Sequence, residues 1–212
     1  VHQIDVSDKN GTKADYRVSL MSLPHLLGIT IDKIPNVVPY LYPAGSEKPE
    51  VQASTDLKVG IVWSGNLRHR HGWAQNRSIP FDVLEALFLI QGVSWYSLQF
   101  ETPDSSLSNK MRELGIQDMS DYISSFSDTA EILLDLDLVI TIDSAVAHLA
   151  GALGIPVWVM LSFVPDWRWL LETEDSPWYP TMLLFRQKEL GVWDDVVEAV
   201  SLALSKQTLQ RN

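Results

Sequence analysis

The segment from Leu136 to Pro156 constrains the fold more than any other part of the chain. Leu136-Asp137-Leu138-Val139-Ile140-Thr141-Ile142-Asp143 is an apolar run ending in an acid. Ser144-Ala145-Val146-Ala147-His148-Leu149-Ala150-Gly151-Ala152-Leu153-Gly154-Ile155-Pro156 follows it without a linker. The first piece reads as a parallel strand covered on both faces, the setting in which strands show near-continuous apolar residues. The second reads as a helix of small residues, closed by Gly154 and Pro156 before the next apolar run, Val157 to Leu161. A helix that starts at the carboxyl edge of a parallel sheet aims free backbone N–H groups at the crevice where open α/β folds bind ligands. Its dipole also favours an anion there. The ligand this turn predicts is a phosphate or pyrophosphate.

The rest of the pattern agrees with an α/β chain. Residues 16 to 46 hold short apolar pieces divided by Pro24, Pro35, Pro39 and Pro43, a spacing that argues against a long helix. From Leu57 the chain alternates. Val59 to Trp63 reads as a strand, Phe81 to Ile90 as an amphipathic helix, Val93 to Gln99 as a strand and Leu107 to Leu114 as a helix. Asp128-Thr129-Ala130-Glu131 has capping-box spacing at the start of a further short helix. After Val157 to Leu161 come a tryptophan-rich loop, a strand Met182 to Arg186, and a terminal amphipathic helix from Trp193 to about Leu204. Such alternation predicts a Rossmann-like, doubly wound parallel sheet with right-handed crossovers.

Composition narrows the function. A chain of 212 residues with 46% hydrophobic content can bury one full domain and part of another. A formal net charge of -11 argues against general binding to nucleic acid or anionic membrane, which needs clustered basic residues. The chain has no cysteine, which excludes disulfides and thiolate metal sites, and its residues read neither as a signal peptide nor as an apolar run long enough to span a bilayer. These features make the cytoplasm the expected compartment. Opening on Val1, the sequence reads as a piece cut from something longer.

Dinucleotide-binding, P-loop and nucleophile-elbow patterns are absent. What remains is the strand-to-helix anion site together with the loop Ser64 to Ser78. That loop carries Arg68, Arg70, Arg77, His69 and His71 after a strand's carboxyl end. In an acidic chain such a loop is a candidate cationic clamp on phosphates.

Several segments, in order, carry a family resemblance: Lys58 to Asn66, Arg77-Ser78-Ile79-Pro80, Ser97-Leu98-Gln99, Asp128-Thr129-Ala130, Leu136 to Gly154, Asp166-Trp167-Arg168-Trp169 and Ser176-Pro177-Trp178-Tyr179-Pro180. Together they resemble the carboxyl-terminal half of heptosyltransferase-like glycosyltransferases (family 9-type), in the version often fused to tetratricopeptide repeats. The similarity runs from about Tyr16 to Val197. It implies a GT-B architecture: two Rossmann-like domains facing a cleft, the second binding a nucleoside-diphosphate sugar without a metal or other cofactor. The corresponding division is 1–50 as the tail of an amino-terminal domain and linker, 51–205 as the donor-binding domain, and 206–212 as a tail.

Carried over, the resemblance places Asp143, Ser144 and Ala145 at the donor's diphosphate and sugar, with His148 on the same helix facing the same cleft. Arg77 matches the cation that neutralises the leaving diphosphate, which with His148 makes the implied catalytic pair. Ser64, Gly65, Asn66 and Gln99 complete the implied donor contacts. The acceptor, whether glycan, lipid-linked sugar or protein, is not specified, and the general base belongs to the family's amino-terminal domain. The match departs from the family in one loop. Leu67 stands where a proline is usual, and His71-Gly72 stand near an Asn-Asp pair, which leaves the roles of His69 and His71 open.

Structural alternatives exist for each residue. Asp143 and Ser144 could simply cap the helix, His148 could be a packing histidine, and the basic loop could be a solvated charge run. Trp167, Trp169 and Trp178 could stack on a sugar or base, or could equally anchor the core. Two further motifs fail. Asp135-Leu136-Asp137 matches the D-x-D of metal-dependent glycosyltransferases but precedes its strand, at the wrong edge of the sheet. His69-Arg70-His71 offers two metal ligands without a third. Two other functions stay open: a non-catalytic nucleotide-sugar-binding or protein-interaction module, and a nucleotide-sugar epimerase.

Overall fold

The computed structural model describes residues 16–43, 45, 55–65, 77–101 and 103–211. The chain divides into two compact units, 1–35 and 36–212. In the first, the one-turn helix α1 (Leu23–Leu26) lies between short 3-10 turns at Leu20–Ser22 and Ile31–Lys33, and none of these elements buries a side chain.

The second unit is an α/β domain built on a single parallel sheet. Its strands are β1 (Leu57–Val62), β2 (Val93–Ser97), β3 (Gln117–Asp118), β4 (Leu138–Ile142), β5 (Val157–Leu161) and β6 (Met182–Arg186). They lie in the order β3-β2-β1-β4-β5-β6, all parallel. This is the doubly wound, Rossmann-like arrangement. Every residue of β4 and β5 is buried, the reason both read as unbroken apolar runs.

The connecting helices are α2 (Glu85–Phe88), α3 (Ser105–Glu113), α4 (Phe126–Leu133) and α5 (Ala145–Ala152), and α6 (Asp194–Arg211) ends the chain. From β1 the sheet grows one way through β2 and β3, and from β4 the other way through β5 and β6. Right-handed crossovers therefore put α2 and α5 on opposite faces. Consistent with this, α6 packs beside α2 and α4 beside α5.

Several elements differ from the sequence-based expectation. The helix expected over Phe81 to Ile90 is a 3-10 turn at Phe81–Leu84 followed by the single turn α2. The capping box of α4 is shifted by three residues. Ser125 is the N-cap and accepts from the Asp128 N–H, while the Asp128 carboxylate accepts from the Ser125 N–H at 2.9 Å. Asp128 thus supplies the third helical position of the box and does not open it. The terminal helix continues to Arg211, with Thr208 buried, so residues 206–211 are part of a helix and not a tail. Residues 36–45, expected in the linker, belong to the second unit: the N–H groups of Tyr40 and Leu41 bond to the Ala152 carbonyl, and the Gly45 N–H to Glu131 Oε1.

Candidate functional site

The strand order reverses between β1 and β4, and in open α/β sheets ligands bind at the carboxyl ends of the strands flanking such a switch point. Val62 pairs with Thr141, so the two chains leave the sheet side by side. Ser64 and Gly65 follow one strand, and Asp143 and Ser144 follow the other.

The turn after β1 is fastened by side chains from its surroundings. Gln99 Oε1 accepts from the N–H groups of Trp63 (2.9 Å) and Ser64 (3.0 Å), while its Nε2 donates to the Ser64 carbonyl (3.2 Å). Its carboxamide thus holds the turn in shape. The returning chain closes on the same turn through Ile79 N–H to Trp63 O (2.9 Å) and Gly65 N–H to Ser78 Oγ (3.1 Å). Arg77 lies flat against Gly65. A Cβ added there would meet Arg77 Nε at 3.0 Å and Nη2 at 3.2 Å, so glycine is what lets the guanidinium approach the backbone. Arg77 is therefore at the carboxyl rim, beside the switch point. Asn66 and the loop residues Arg68, His69, Arg70 and His71 lie outside the described residues.

Across the crevice, α5 begins without a side-chain cap. Ser144 is its N-cap residue, yet its hydroxyl is paired with Thr141 Oγ1 at 2.9 Å and does not cap the helix. The capping alternative thus fails for Ser144, in contrast to α3 and α4, which Asp104 and Ser125 cap. Asp143 and Ser144 are half-buried and Ala145 is exposed. An uncapped helix start of this kind retains amides and positive dipole for an incoming anion.

His148, one turn into α5, shares a face with Ser144 and Ala145. Its Nδ1 is 3.2 Å from the Tyr179 hydroxyl, which in turn receives the Tyr40 O–H at 3.5 Å. Its ring stacks on Trp169, with centroids 5.0 Å apart and planes 17° apart. Burial pushes the imidazole below its ordinary pKa. Asp143 and Asp166 pull the other way, and Arg168 adds to the lowering. Burial pushes the Tyr179 phenol well above its usual range.

Trp169 is fully buried and so serves as an anchor, whereas Trp167 is exposed and carries the Arg168 guanidinium over its ring at 4.7 Å. The loop holding them is locked by Arg186 at the end of β6. That guanidinium donates to the carbonyls of Trp169, Leu170 and Thr173. Leu170 has φ 57 and ψ -165, a conformation costly for any residue with a Cβ. The three Arg186 bonds hold the backbone there, next to the Trp169 ring that stacks on His148.

Sequence reading gave no site role to Arg186, Tyr179 or Tyr40, although Tyr179 lies in the Ser176–Pro180 motif. A further local signal was Gly151, a helix-weakening residue in the middle of α5. A Cβ there would stand 2.6 Å from the Tyr179 ring.

At the opposite edge of the sheet, Asp137 accepts from the Lys58 N–H (2.8 Å) and pairs with both terminal nitrogens of Arg211. Partial burial raises its pKa, but these bonds outweigh it and hold the carboxyl below the usual range. The acid after Leu136 is thus a fastening for α6, away from the crevice. Among the described residues, no group of three His, Asp or Glu converges as metal ligands. No helix among them is long and apolar enough to cross a membrane.

Fold and site geometry together define a Rossmann-like α/β domain with Arg77 and an uncapped helix start on the rim of its switch point. The chain is 28% identical over 205 residues to the protein FlbA of Caulobacter vibrioides, a match covering 92% of this chain and 34% of FlbA. It therefore spans about a third of that relative's length. No family model matches the sequence. No solved structure gives a significant match.

Proposed function

We propose that the domain binds a nucleoside-diphosphate sugar at the β1/β4 switch point and forms the donor half of an inverting, metal-independent GT-B glycosyltransferase. The observation that carries this reading is the seating of Arg77 against Gly65 on the same rim as the uncapped start of α5. A cation and a set of helix amides facing one crevice suit a diphosphate better than any neutral ligand. In the proposed reaction an acceptor oxygen attacks the anomeric carbon and the bond to the β-phosphate oxygen breaks. The negative charge that grows on the diphosphate is stabilised by Arg77 and the α5 amides. The acceptor's proton goes to a base on the facing domain of such enzymes, a role assigned to no residue of this chain. The cytoplasm, which suits a chain without cysteine, is the proposed compartment.

Calorimetric titration with ADP, GDP, CDP and UDP tests the site. At least one binds, and Arg77→Ala weakens that binding about tenfold or more, since a charge-assisted contact contributes about 1.5–3 kcal/mol. Asp143→Ala weakens it as well. The absence of binding for all four nucleotides, or unchanged affinity in both variants, refutes the reading.

A further inference from the structure

We propose that Tyr179, backed by Tyr40, is a positioning residue that fixes His148 as the neutral tautomer protonated on Nε2, so that the ring offers a hydrogen-bond donor to the crevice instead of a base. Tyr40 spends its single hydroxyl proton on the Tyr179 oxygen at 3.5 Å. Among the described residues, the proton of Tyr179 has no acceptor other than His148 Nδ1, 3.2 Å away. A ring nitrogen that accepts a hydrogen bond carries no proton, so the proton of the neutral imidazole is on Nε2. Among the described residues, Nε2 has no hydrogen-bond partner of its own.

Packing makes this order persistent. Tyr179 is only 8% exposed, and its ring fits against Gly151 in the space a Cβ would fill. Trp169, whose carbonyl Arg186 holds, stacks on the face of the His148 ring and opposes rotation of the imidazole out of the bond. The charged groups facing His148 are Asp143, Asp166 and Arg168, and burial outweighs the two acids in keeping the ring neutral. Burial also keeps the Tyr179 proton in place, so the phenol donates throughout the physiological range.

The identity of the ligand that Nε2–H meets rests on the nucleotide-sugar reading, whereas the tautomer does not. The test is therefore made on the ligand-free full chain. Long-range proton–nitrogen spectra of histidine-labelled protein are recorded at pH 7.5, with the His148 signals assigned by their loss in His148→Gln. The expected wild-type spectrum shows an unprotonated Nδ1 and a protonated Nε2. Tyr179→Phe lowers the ratio of the two tautomers about fivefold, the effect of one neutral hydrogen bond, and Tyr40→Phe moves it in the same direction by less. A wild-type ring protonated mainly on Nδ1 overturns the proposal, as does a ratio unchanged in natively folded Tyr179→Phe. Should that variant fail to fold, Tyr40→Phe decides by the same criterion. Failure of every nucleoside diphosphate to bind counts against the donor reading alone and leaves the tautomer result standing.

Discussion

Gly151→Ala is the sharpest probe of how the site is built. The added methyl would stand 2.6, 2.7 and 3.0 Å from Tyr179 Cγ, Cδ1 and Cδ2, where carbon atoms normally rest about 3.5–4.0 Å apart. The ring has to retreat on the order of 1 Å, and its hydroxyl bonds and near-complete burial leave it little room. Overpacking of this kind costs about 1–3 kcal/mol. Replacing a glycine inside a helix by alanine returns about 0.8–1.0 kcal/mol. Because three atoms of a rigid ring are struck at once, the cost lies in the upper part of its range, and the net loss is about 1–2 kcal/mol.

Gly60→Ala is the matched control. Its methyl also meets neighbours at 2.7 Å, but these are the terminal methyls of Leu98 and Leu136, which can swing aside. Its loss is under about 1 kcal/mol. Urea unfolding with an unchanged slope measures both variants, and the thermal midpoint should move by about 2–4 °C per kcal/mol. Stability of Gly151→Ala equal to or above wild type, or above that of Gly60→Ala, refutes the claim that Tyr179 fills the space a side chain would need.

Other perturbations separate groups that look alike in sequence. Ser125→Ala destabilises the domain by about 1 kcal/mol because it removes a working cap, whereas Ser144→Ala, whose hydroxyl does not cap α5, costs less in the same urea titration. Arg186→Met frees the carbonyls of Trp169, Leu170 and Thr173; unfolding midpoints fall by the equivalent of at least ~2 kcal/mol, and limited proteolysis cuts near Leu170. For pH, burial holds the folded-state pKa of His148 below its ordinary value of about 6.5, so the unfolded chain binds the proton first as pH falls. The His148 contribution to stability is therefore complete above that ordinary value and is lost as pH falls from it toward the folded value. Urea midpoints at pH 7.5 and 5.5 should show a smaller drop in His148→Gln than in wild type.

Much of the fold was legible because its determinants are local. β5 and β6 fall where their apolar runs begin and end, and the Asp143-Ser144 turn starts α5 as the small-residue pattern requires. The α2 region was less legible. The apolar spacing from Phe81 to Ile90 is helical, yet the segment divides into a 3-10 turn and a single α-turn. Phe81 and Phe88 there stack on one another, with Trp63 and Trp95 edge-on at either end, so the aromatic packing of the finished fold shapes this segment. In the site, the residue types marked Arg77 as a cation in the loop after one strand and His148 as a polar group on the helix after another. They gave no indication that the Gln99 carboxamide would be taken up by the backbone of Trp63 and Ser64.

By itself, then, the sequence determined the alternation of strands and helices, the parallel sheet, and the end of that sheet at which a helix start faces outward. These follow from periodicity and from residues adjacent in the chain. Only the tertiary structure decided that Arg77 lies on Gly65, that Tyr40 and Tyr179 reach His148, and that Arg186 holds Leu170 in a conformation leucine does not choose. The Tyr40–Tyr179 bond joins positions 139 residues apart, and the Arg186–Trp169 bond joins positions 17 apart. Such pairings come from how the strands are ordered in space, and residue spacing along the chain carries no record of them.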